Sequence, residues 1–163
     1  MVAAKLYTVI ILFHNGNLLM LRRAAWKKFA PDRWTGLGGR VEPHELDDLG
    51  IAARRELFEE TDLEPTEVSQ LLLRRTLTFF NEAEGLVTLL YFTGDAATNR
   101  VPACTEGTLT WIDQADLAKL DVIENTARVI GYVLDDVDHG EVRIRCGVAA
   151  VDDRAHFVSL HFT

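Results

Sequence analysis

The chain has 163 residues, long enough to bury a sizeable core and short enough that we expect a single domain spanning 1–163. Its content of 48% hydrophobic and 26% charged residues is typical of a soluble globular protein. The formal net charge of −8 argues against broad binding to nucleic acid or to anionic membranes. It does not exclude a small nucleotide, because a metal ion can neutralise phosphates locally.

Other sequence features bear on the cellular compartment. Cys104 and Cys146 form no disulfide framework, and the opening residues lack a signal-peptide pattern. No apolar run approaches the ~20 residues of a membrane-spanning helix. These features predict a cytoplasmic protein, and we expect both cysteines to be buried or half-buried.

The first part of the chain predicts a β-hairpin. Residues 6–13 are β-branched and aromatic, the Asn-Gly pair at 15–16 indicates a turn, and residues 18–22 form a second apolar run. The nearly continuous apolar character predicts strands that are covered on both faces.

A loop is predicted over residues 24–33, where aromatic side chains alternate with lysines and a proline. Trp26 or Phe29 could stack on a nucleotide base from this loop. Packing beneath the loop is the interpretation that we favour for both.

The rest of the chain predicts further strands and helices around a central helix. A glycine-rich turn at 36–39 leads into a helix over about Asp47 to Thr61. Later segments predict strands at 71–80, 86–93 and 108–112, a short helix within 113–120, a helix within 121–134, and a closing hairpin of 141–151 and 156–162. Strands before and after a central helix, with another helix late, indicate an α/β (α+β) sandwich with a mixed sheet.

Three carboxylates cluster at the end of the central helix. Glu56, Glu59 and Glu60 are three or four residues apart and are expected to project together. A solvated acidic face would explain a lone pair of acids, and an i,i+4 contact between Arg55 and Glu59 fits that interpretation. The macrodipole, however, disfavours negative charge at a helix C-terminus, and the opposite apolar face fixes where the acids point. We therefore interpret the cluster as a site for a hard divalent cation such as Mg²⁺ or Mn²⁺.

The stretch from 36 to 63 resembles the Nudix box. Gly39 and Glu45 match its first half, and its second half is matched by Arg55, Glu56, Leu57, Glu59, Glu60 and Leu63. Two departures stand out: nine residues instead of seven separate Glu45 from Arg55, and Asp62 replaces a glycine. We expect the extra residues, around 46–50, to loop out, and Asp62 to adopt the left-handed conformation of a helix end.

The resemblance extends to MutT-type members of the family, most closely the mammalian oxidised-purine nucleoside triphosphatases. It implies a Nudix-type α/β/α sandwich with a mixed sheet. It also implies metal coordination by Gly39, Glu56, Glu59 and Glu60, with Mg²⁺ as the cofactor and Mn²⁺ able to substitute. Glu106, five residues before Trp111, is implied as a fourth metal-site carboxylate.

The resemblance also suggests roles in catalysis and substrate binding. Glu59 and Glu106 are both candidates for the general base, Glu56 belongs with them as a catalytic ligand, and Arg55 would orient a glutamate. For substrate binding it suggests Thr8, Arg23, Thr35, Gly38, Glu124 and Asn125. Thr35 stands where the relatives have asparagine, and the aromatic residue at the start of their last helix is missing. A helix-cap role for Asn125 is equally compatible with the sequence.

The expected function is metal-dependent hydrolysis of a nucleoside triphosphate, including an oxidised purine such as 8-oxo-dGTP, to monophosphate and pyrophosphate. ADP-ribose and dinucleoside polyphosphates remain alternative substrates, and a non-catalytic nucleotide-sensing module is a further alternative. The expected partner is a small nucleotide, with no nucleic acid or membrane, and the chain would be a monomer or homodimer.

Overall fold

The computed structural model describes residues 3–163, which form eight strands and two α-helices. Three 3-10 helices lie between them, at Pro43–Glu45, Pro65–Glu67 and Gln114–Lys119. The strands are β1 (Ala4–His14), β2 (Asn17–Arg23), β3 (Trp34–Thr35), β4 (Val68–Asn81), β5 (Gly85–Ala96), β6 (Gly107–Asp113), β7 (Arg145–Val151) and β8 (Phe157–Phe162), and the helices are α1 (Leu49–Thr61) and α2 (Glu124–Asp138).

The strands form one mixed sheet in the order β3-β2-β1-β5-β4-β7-β8, with β6 also pairing with β2. The β1–β5 and β4–β7 pairs are parallel, and the other pairs are antiparallel. The mixed sheet predicted from the sequence is confirmed.

The two α-helices contribute to separate apolar clusters. Ile10 and Leu12 of β1 pack in one cluster with Ala53 and Leu57 of α1. Val9, which precedes them in sequence, packs in a second cluster with Val129 and Val133 of α2, and Ile11, which lies between them, packs in a third with Ile130 of α2. Because successive strand side chains point to opposite faces, α1 and α2 cover opposite faces of the sheet. Residues 9–12 are all buried, as the apolar run predicted.

The central helix begins at Leu49, slightly later than predicted. Asp48 accepts a hydrogen bond from Gly50 N at 2.9 Å through its side chain, and this cap fixes the first turn. At the other end, Asp62 has a φ of 52° and a ψ of 22°, the left-handed conformation that we expected. Of the residues expected to loop out, 46–48 lie outside α1, whereas Leu49 and Gly50 belong to its first turn, and α1 ends at Thr61 as predicted.

Several other expectations need correction. Trp26 and Phe29 do not pack beneath their loop, because their relative exposures are 70% and 63%. Cys146 is exposed, whereas Cys104 is half-buried as predicted, and both are free thiols. The last helix runs four residues further than expected, to Asp138, and the closing hairpin begins at Arg145 rather than 141.

Among the described residues, no helix is long and apolar enough to cross a membrane.

Candidate active site

The glycine-rich turn is bonded directly to the first strand. Thr8 N donates to the Gly39 carbonyl at 2.8 Å, and Gly39 N donates to Thr8 Oγ1 at 3.2 Å. Gly38 has a φ of +125°, and a Cβ at this position would lie 2.3 Å from the Thr8 carbonyl oxygen. Only glycine fits this close approach of two backbones. Thr8, predicted to bind substrate, is buried and holds the turn in place.

Glu60 connects the end of α1 to this turn. Its Oε2 accepts a hydrogen bond from Gly38 N at 2.7 Å, and the residue is buried. Burial, together with the negative charges of Glu56, Glu106 and Glu59, raises the pKa of Glu60 to about 8 against the lowering effect of the Gly38 N–H. Glu60 therefore lies within electrostatic range of three other carboxylates.

Glu56 lies against the Gly39 backbone. A Cβ added at Gly39 would be 2.5 Å from Glu56 Oε2, so this glycine permits the approach of the carboxylate. Burial raises the pKa of Glu56, and Arg55 opposes that shift. Glu59 differs from its neighbours, because 55% of its side chain is exposed.

Arg55 links the acidic residues of the site. Its Nε and Nη2 donate to the two carboxylate oxygens of Glu45 at 2.6 and 2.9 Å. Its Nη1 donates to Glu56 Oε1 at 2.7 Å and lies 3.4 Å from both carboxylate oxygens of Glu59. The guanidinium group also donates to the Arg40 carbonyl at 3.0 Å. Arg55 is thus oriented by Glu45 and in turn orients the carboxylates on α1.

Glu45 is a site residue to which sequence reasoning gave no role. Only 1% of its side chain is exposed, and the Arg55 guanidinium lowers the pKa of its carboxyl to about 2. The one signal in the sequence that could have pointed to Glu45 was its match to the Nudix box, ten residues before Arg55. The insertion follows it: the 3-10 helix at Pro43–Glu45 keeps Glu45 buried, and Leu46 is 55% exposed.

Glu106 comes from a distant part of the chain. Because β6 pairs with β2, Glu106 lies beside the end of β2, and its carbonyl accepts a hydrogen bond from Ala24 N at 2.9 Å. Its carboxylate forms an ion pair with Lys27, a contact that the sequence did not indicate. Glu106 is thus placed within electrostatic range of Glu60.

A cavity of about 600 Å³ opens beside the glycine turn. It brings together Thr8, Arg23, Thr35, Gly38, Gly39, Glu60, Glu106, Glu124 and Asn125, and its lining also includes Phe29, Arg40 and Arg154. All six residues suggested for substrate binding therefore line one space. Arg154 belongs to the turn of the closing hairpin, and no local sequence signal pointed to it.

Glu124 and Asn125, which line this cavity, already have hydrogen-bond partners within the protein. Glu124 Oε1 accepts from Phe157 N at 3.1 Å and from Arg128 Nη2 at 3.2 Å. Asn125 Oδ1 accepts from Thr126 N at 2.6 Å, whereas Ile123 is the N-cap residue of α2. Asn125 is therefore not the cap residue, although it stabilises the first turn of α2.

The donor set suits a hard divalent cation in composition. Carboxylate oxygens are the ligands that Mg²⁺ and Mn²⁺ prefer, and Glu60 and Glu106 both line the cavity beside the glycine turn. Within residues 3–163, however, no three acidic, histidine or cysteine side chains already form a group that could hold an ion. Arg55, Gly38 and Lys27 hold the carboxylates as protein partners, and the Gly39 carbonyl accepts from Thr8. Binding an ion would require small rearrangements of these side chains.

Comparison with protein families identifies the chain. The NUDIX domain matches residues 4–133, which contain the glycine turn, α1 and Glu106. The chain belongs to the Nudix family. It is a Nudix hydrolase that acts on pyrophosphate bonds, in a family whose members generally use divalent metals. Comparison with curated proteins finds no match.

Solved structures share the Nudix fold at low sequence identity. A mutator MutT protein from Bacillus halodurans is 19% identical, with a TM-score of 0.70 and 97% of each chain covered. The NUDIX domain of Shewanella oneidensis NrtR, solved with ADP ribose, is 16% identical, with a TM-score of 0.62, covering 84% of this chain and 89% of that one. A bifunctional NMN adenylyltransferase/ADP ribose pyrophosphatase from Francisella tularensis, solved with AMP and a Mn ion, is 21% identical, with a TM-score of 0.65, covering 83% of this chain and 42% of that one. These likenesses extend to the fold and do not single out one substrate.

Proposed function

We propose that this chain is a single-domain, cytoplasmic, Mg²⁺-dependent Nudix hydrolase that cleaves a nucleoside triphosphate and water into a nucleoside monophosphate and pyrophosphate. The observation that carries the proposal is the position of Glu60. It is buried, bonded to Gly38 N, lines the cavity together with Glu106, and lies within electrostatic range of Glu56 and Glu59.

Under this proposal Glu56, Glu59, Glu60 and Glu106 would hold the divalent ion. Mg²⁺, or Mn²⁺ in its place, supplies charge neutralisation on the phosphates and a more acidic water when it is bound. Gly39 is a weaker candidate than the carboxylates, because its carbonyl already accepts a hydrogen bond from Thr8.

The protein's own groups have separate tasks in this proposal. Arg55 fixes the orientation of Glu56 through its 2.7 Å contact, so that this carboxylate stays directed towards the glycine-rich segment. Glu59 is the candidate general base that is half-exposed and free to meet a water molecule, and Glu106 is the other candidate. Arg23 lines the cavity and is available to contact a phosphate group.

For the base, oxidised purines are the first candidates, following the resemblance to the mammalian oxidised-purine nucleoside triphosphatases. Asn125 supports a polar contact with a purine edge: its carbonyl is engaged by Thr126, whereas its amide nitrogen has no hydrogen-bond partner within residues 3–163. Phe29 lines the same cavity and is exposed, which suits stacking on a base.

A second candidate function is hydrolysis of ADP-ribose or a dinucleoside polyphosphate. The cavity supports it because Arg40 and Arg154 lie on its lining in addition to Arg23. These arginines could bind a second phosphate-bearing or ribose-bearing end of a longer substrate. Two of the structural neighbours are described with ADP ribose in their names, which keeps this substrate class in view.

A substrate panel with Mg²⁺ tests the proposal. It contains ordinary and 8-oxo nucleoside triphosphates, ADP-ribose and a dinucleoside polyphosphate, and products are identified by chromatography. We expect the highest kcat/KM for a nucleoside triphosphate, with monophosphate and pyrophosphate as products. Activity confined to ADP-ribose or dinucleotides would replace the proposed function with the second candidate function.

Glutamine variants test the site itself. We expect Glu59→Gln and Glu60→Gln to lower kcat by roughly two to four orders of magnitude with folding intact, because each removes a carboxylate charge that would hold the divalent ion. Glu82→Gln, the same change at an exposed loop position, is the matched control and should leave kcat unchanged. Full turnover in both site variants would refute the assignment.

A further inference from the structure

Lys27 is a cation beside the site, and the proposed mechanism gives it no role. Its ammonium group forms an ion pair with the Glu106 carboxylate, and only 19% of the Lys27 side chain is exposed. The two residues are 79 positions apart in the chain, so the contact depends on the fold and not on local sequence.

The loop that carries Lys27 is attached to Glu106 at two points. One is the side-chain ion pair, and the other is the backbone hydrogen bond from Ala24 N to the Glu106 carbonyl at 2.9 Å. Lys27 N also donates to the Ala24 carbonyl at 3.1 Å, which closes a turn between them. Lys27 can therefore release Glu106 by rotating its side chain, while the backbone keeps the loop in place.

The charges around Glu106 give Lys27 a reason to move. Glu106 and Glu60 line the same cavity, so two carboxylates face one space. A divalent cation between these carboxylates would neutralise Glu106 and remove its attraction for Lys27. Glu106, the partner of Lys27, lines the cavity, so the phosphate chain of a substrate bound there would be an anion within reach of the long lysine side chain.

We propose that Lys27 is a substrate-binding residue that exchanges partners: it pairs with Glu106 before the divalent ion binds and with the phosphate chain of the substrate afterwards. The exchange rests on the proposed function in two respects: it requires a divalent ion and a substrate that carries phosphates. It holds for any nucleotide substrate with a pyrophosphate bond. It makes Lys27 a competitor of the ion and a partner of the phosphates.

Opposite effects on two affinities test this exchange. Isothermal titration would measure the binding of Mg²⁺ alone, and then of pyrophosphate at saturating Mg²⁺, to wild type and to Lys27→Met. We expect the variant to bind Mg²⁺ about two- to fivefold more tightly, because no partly exposed ion pair must be broken. We expect it to bind pyrophosphate about three- to tenfold more weakly, because a charged hydrogen bond is lost.

Two further variants separate the exchange from general effects. Lys28→Met removes the same charge from the exposed neighbouring residue and should leave both affinities near those of wild type. Lys27→Arg keeps a cation of similar reach and should restore both. A merely structural role would weaken both affinities together in Lys27→Met, and that result would overturn the proposal.

Trp26 supplies a spectroscopic signal for the same event. The Lys27 ammonium group lies 4.7 Å from the centre of the Trp26 ring, which is 70% exposed. Addition of Mg²⁺ with pyrophosphate should change the Trp26 emission in wild type. This change in emission should be absent in Lys27→Met and in Trp26→Phe. In Trp26→Phe the remaining tryptophans, Trp34 and Trp111, report any unrelated movement.

The outcomes also distinguish this proposal from the proposed function. Wild-type binding of Mg²⁺ and pyrophosphate, with affinities in Lys27→Met equal to those in Lys28→Met, would overturn the Lys27 exchange alone. Activity confined to substrates other than nucleoside triphosphates would change the proposed function and leave the exchange intact. Failure of wild type to bind Mg²⁺ would overturn both.

Discussion

Arg75 and Arg55 each form a two-point ion pair with a buried carboxylate, but the two pairs differ in what else they contact. Arg75 Nε and Nη2 donate to Asp136 at 2.6 and 2.7 Å, and the guanidinium carbon lies 5.0 and 4.5 Å from the ring centres of Tyr132 and Phe162. Arg75 therefore joins β4, α2 and β8 in one contact. Its side chain is 8% exposed, so it is enclosed by these partners.

Arg55 makes the same bond to Glu45 but keeps part of its guanidinium group for other carboxylates. It contacts Glu56 at 2.7 Å and approaches Glu59 at 3.4 Å, and 28% of its side chain is exposed. One arginine is committed to a single acid, whereas the other distributes its donors between an anchor and the site. The comparison indicates that an ion pair with unused donors beside a cavity orients functional groups, whereas an enclosed pair stabilises the fold.

The largest expected effect comes from breaking the enclosed pair. Asp136→Ala leaves the Arg75 charge buried without its carboxylate, which should lower the free energy of unfolding by about 3–5 kcal/mol. Chemical denaturation would measure this loss. The kcat/KM of the folded protein should stay close to that of wild type, because the pair does not contact the site.

Two controls accompany that prediction. Asp135→Ala, at the exposed neighbouring position of α2, should change the unfolding free energy little. The double variant Arg75→Met with Asp136→Leu removes both charges and should recover most of the loss. A loss of activity in the folded Asp136 variant, with stability unchanged, would reverse the roles assigned to the two pairs.

A smaller effect, of a different kind, is expected from Arg55→Lys. A lysine keeps the charge beside Glu45 but cannot bond Glu45 and Glu56 with one planar fork. Groups that orient metal-binding carboxylates typically contribute about 10- to 100-fold in activity or metal affinity, so kcat/KM should fall by that factor. Arg54→Lys, exposed on the same helix, is the control and should retain full activity. Equal kinetics in the two variants would show that Arg55 has no orienting role.

The elements that sequence predicted best are those whose pattern is local. Helical spacing placed Glu56 and Glu60 on one face of α1, and the structure brings both to the glycine turn. The Asn-Gly pair fixed the β1–β2 hairpin, since Asn15 and Gly16 have φ values of 48° and 81° that suit such a turn. The start of α1 was harder, because several residues before Leu49 have helical spacing and only the Asp48 cap decides between them.

Contacts between distant residues could not be predicted in the same way. Spacing shows that Glu45 matches a motif, but only the fold shows that it is buried against Arg55. The pair of Lys27 with Glu106 depends on β6 lying beside β2, and composition cannot tell whether Trp26 and Phe29 pack inward or face solvent. The nucleotide base that the cavity prefers could not be predicted for the same reason, because Thr35 and Asn125 come together at the cavity only after folding.

The smallest expected effect is a change in the acid sensitivity of the fold through Glu45. Its pKa in the folded protein is lowered from 4.5 to about 2 by Arg55, so the folded state binds its proton less readily than the unfolded state does. The stability that this carboxylate contributes is therefore fully present above about pH 4.5 and is lost as the pH falls towards 2. Denaturant unfolding measured across that range should show a shallower loss of stability in Glu45→Gln than in wild type. Glu82→Gln, whose residue is exposed, should follow the wild-type curve; if Glu45→Gln followed it as well, the Glu45–Arg55 pair would not be a source of the acid sensitivity.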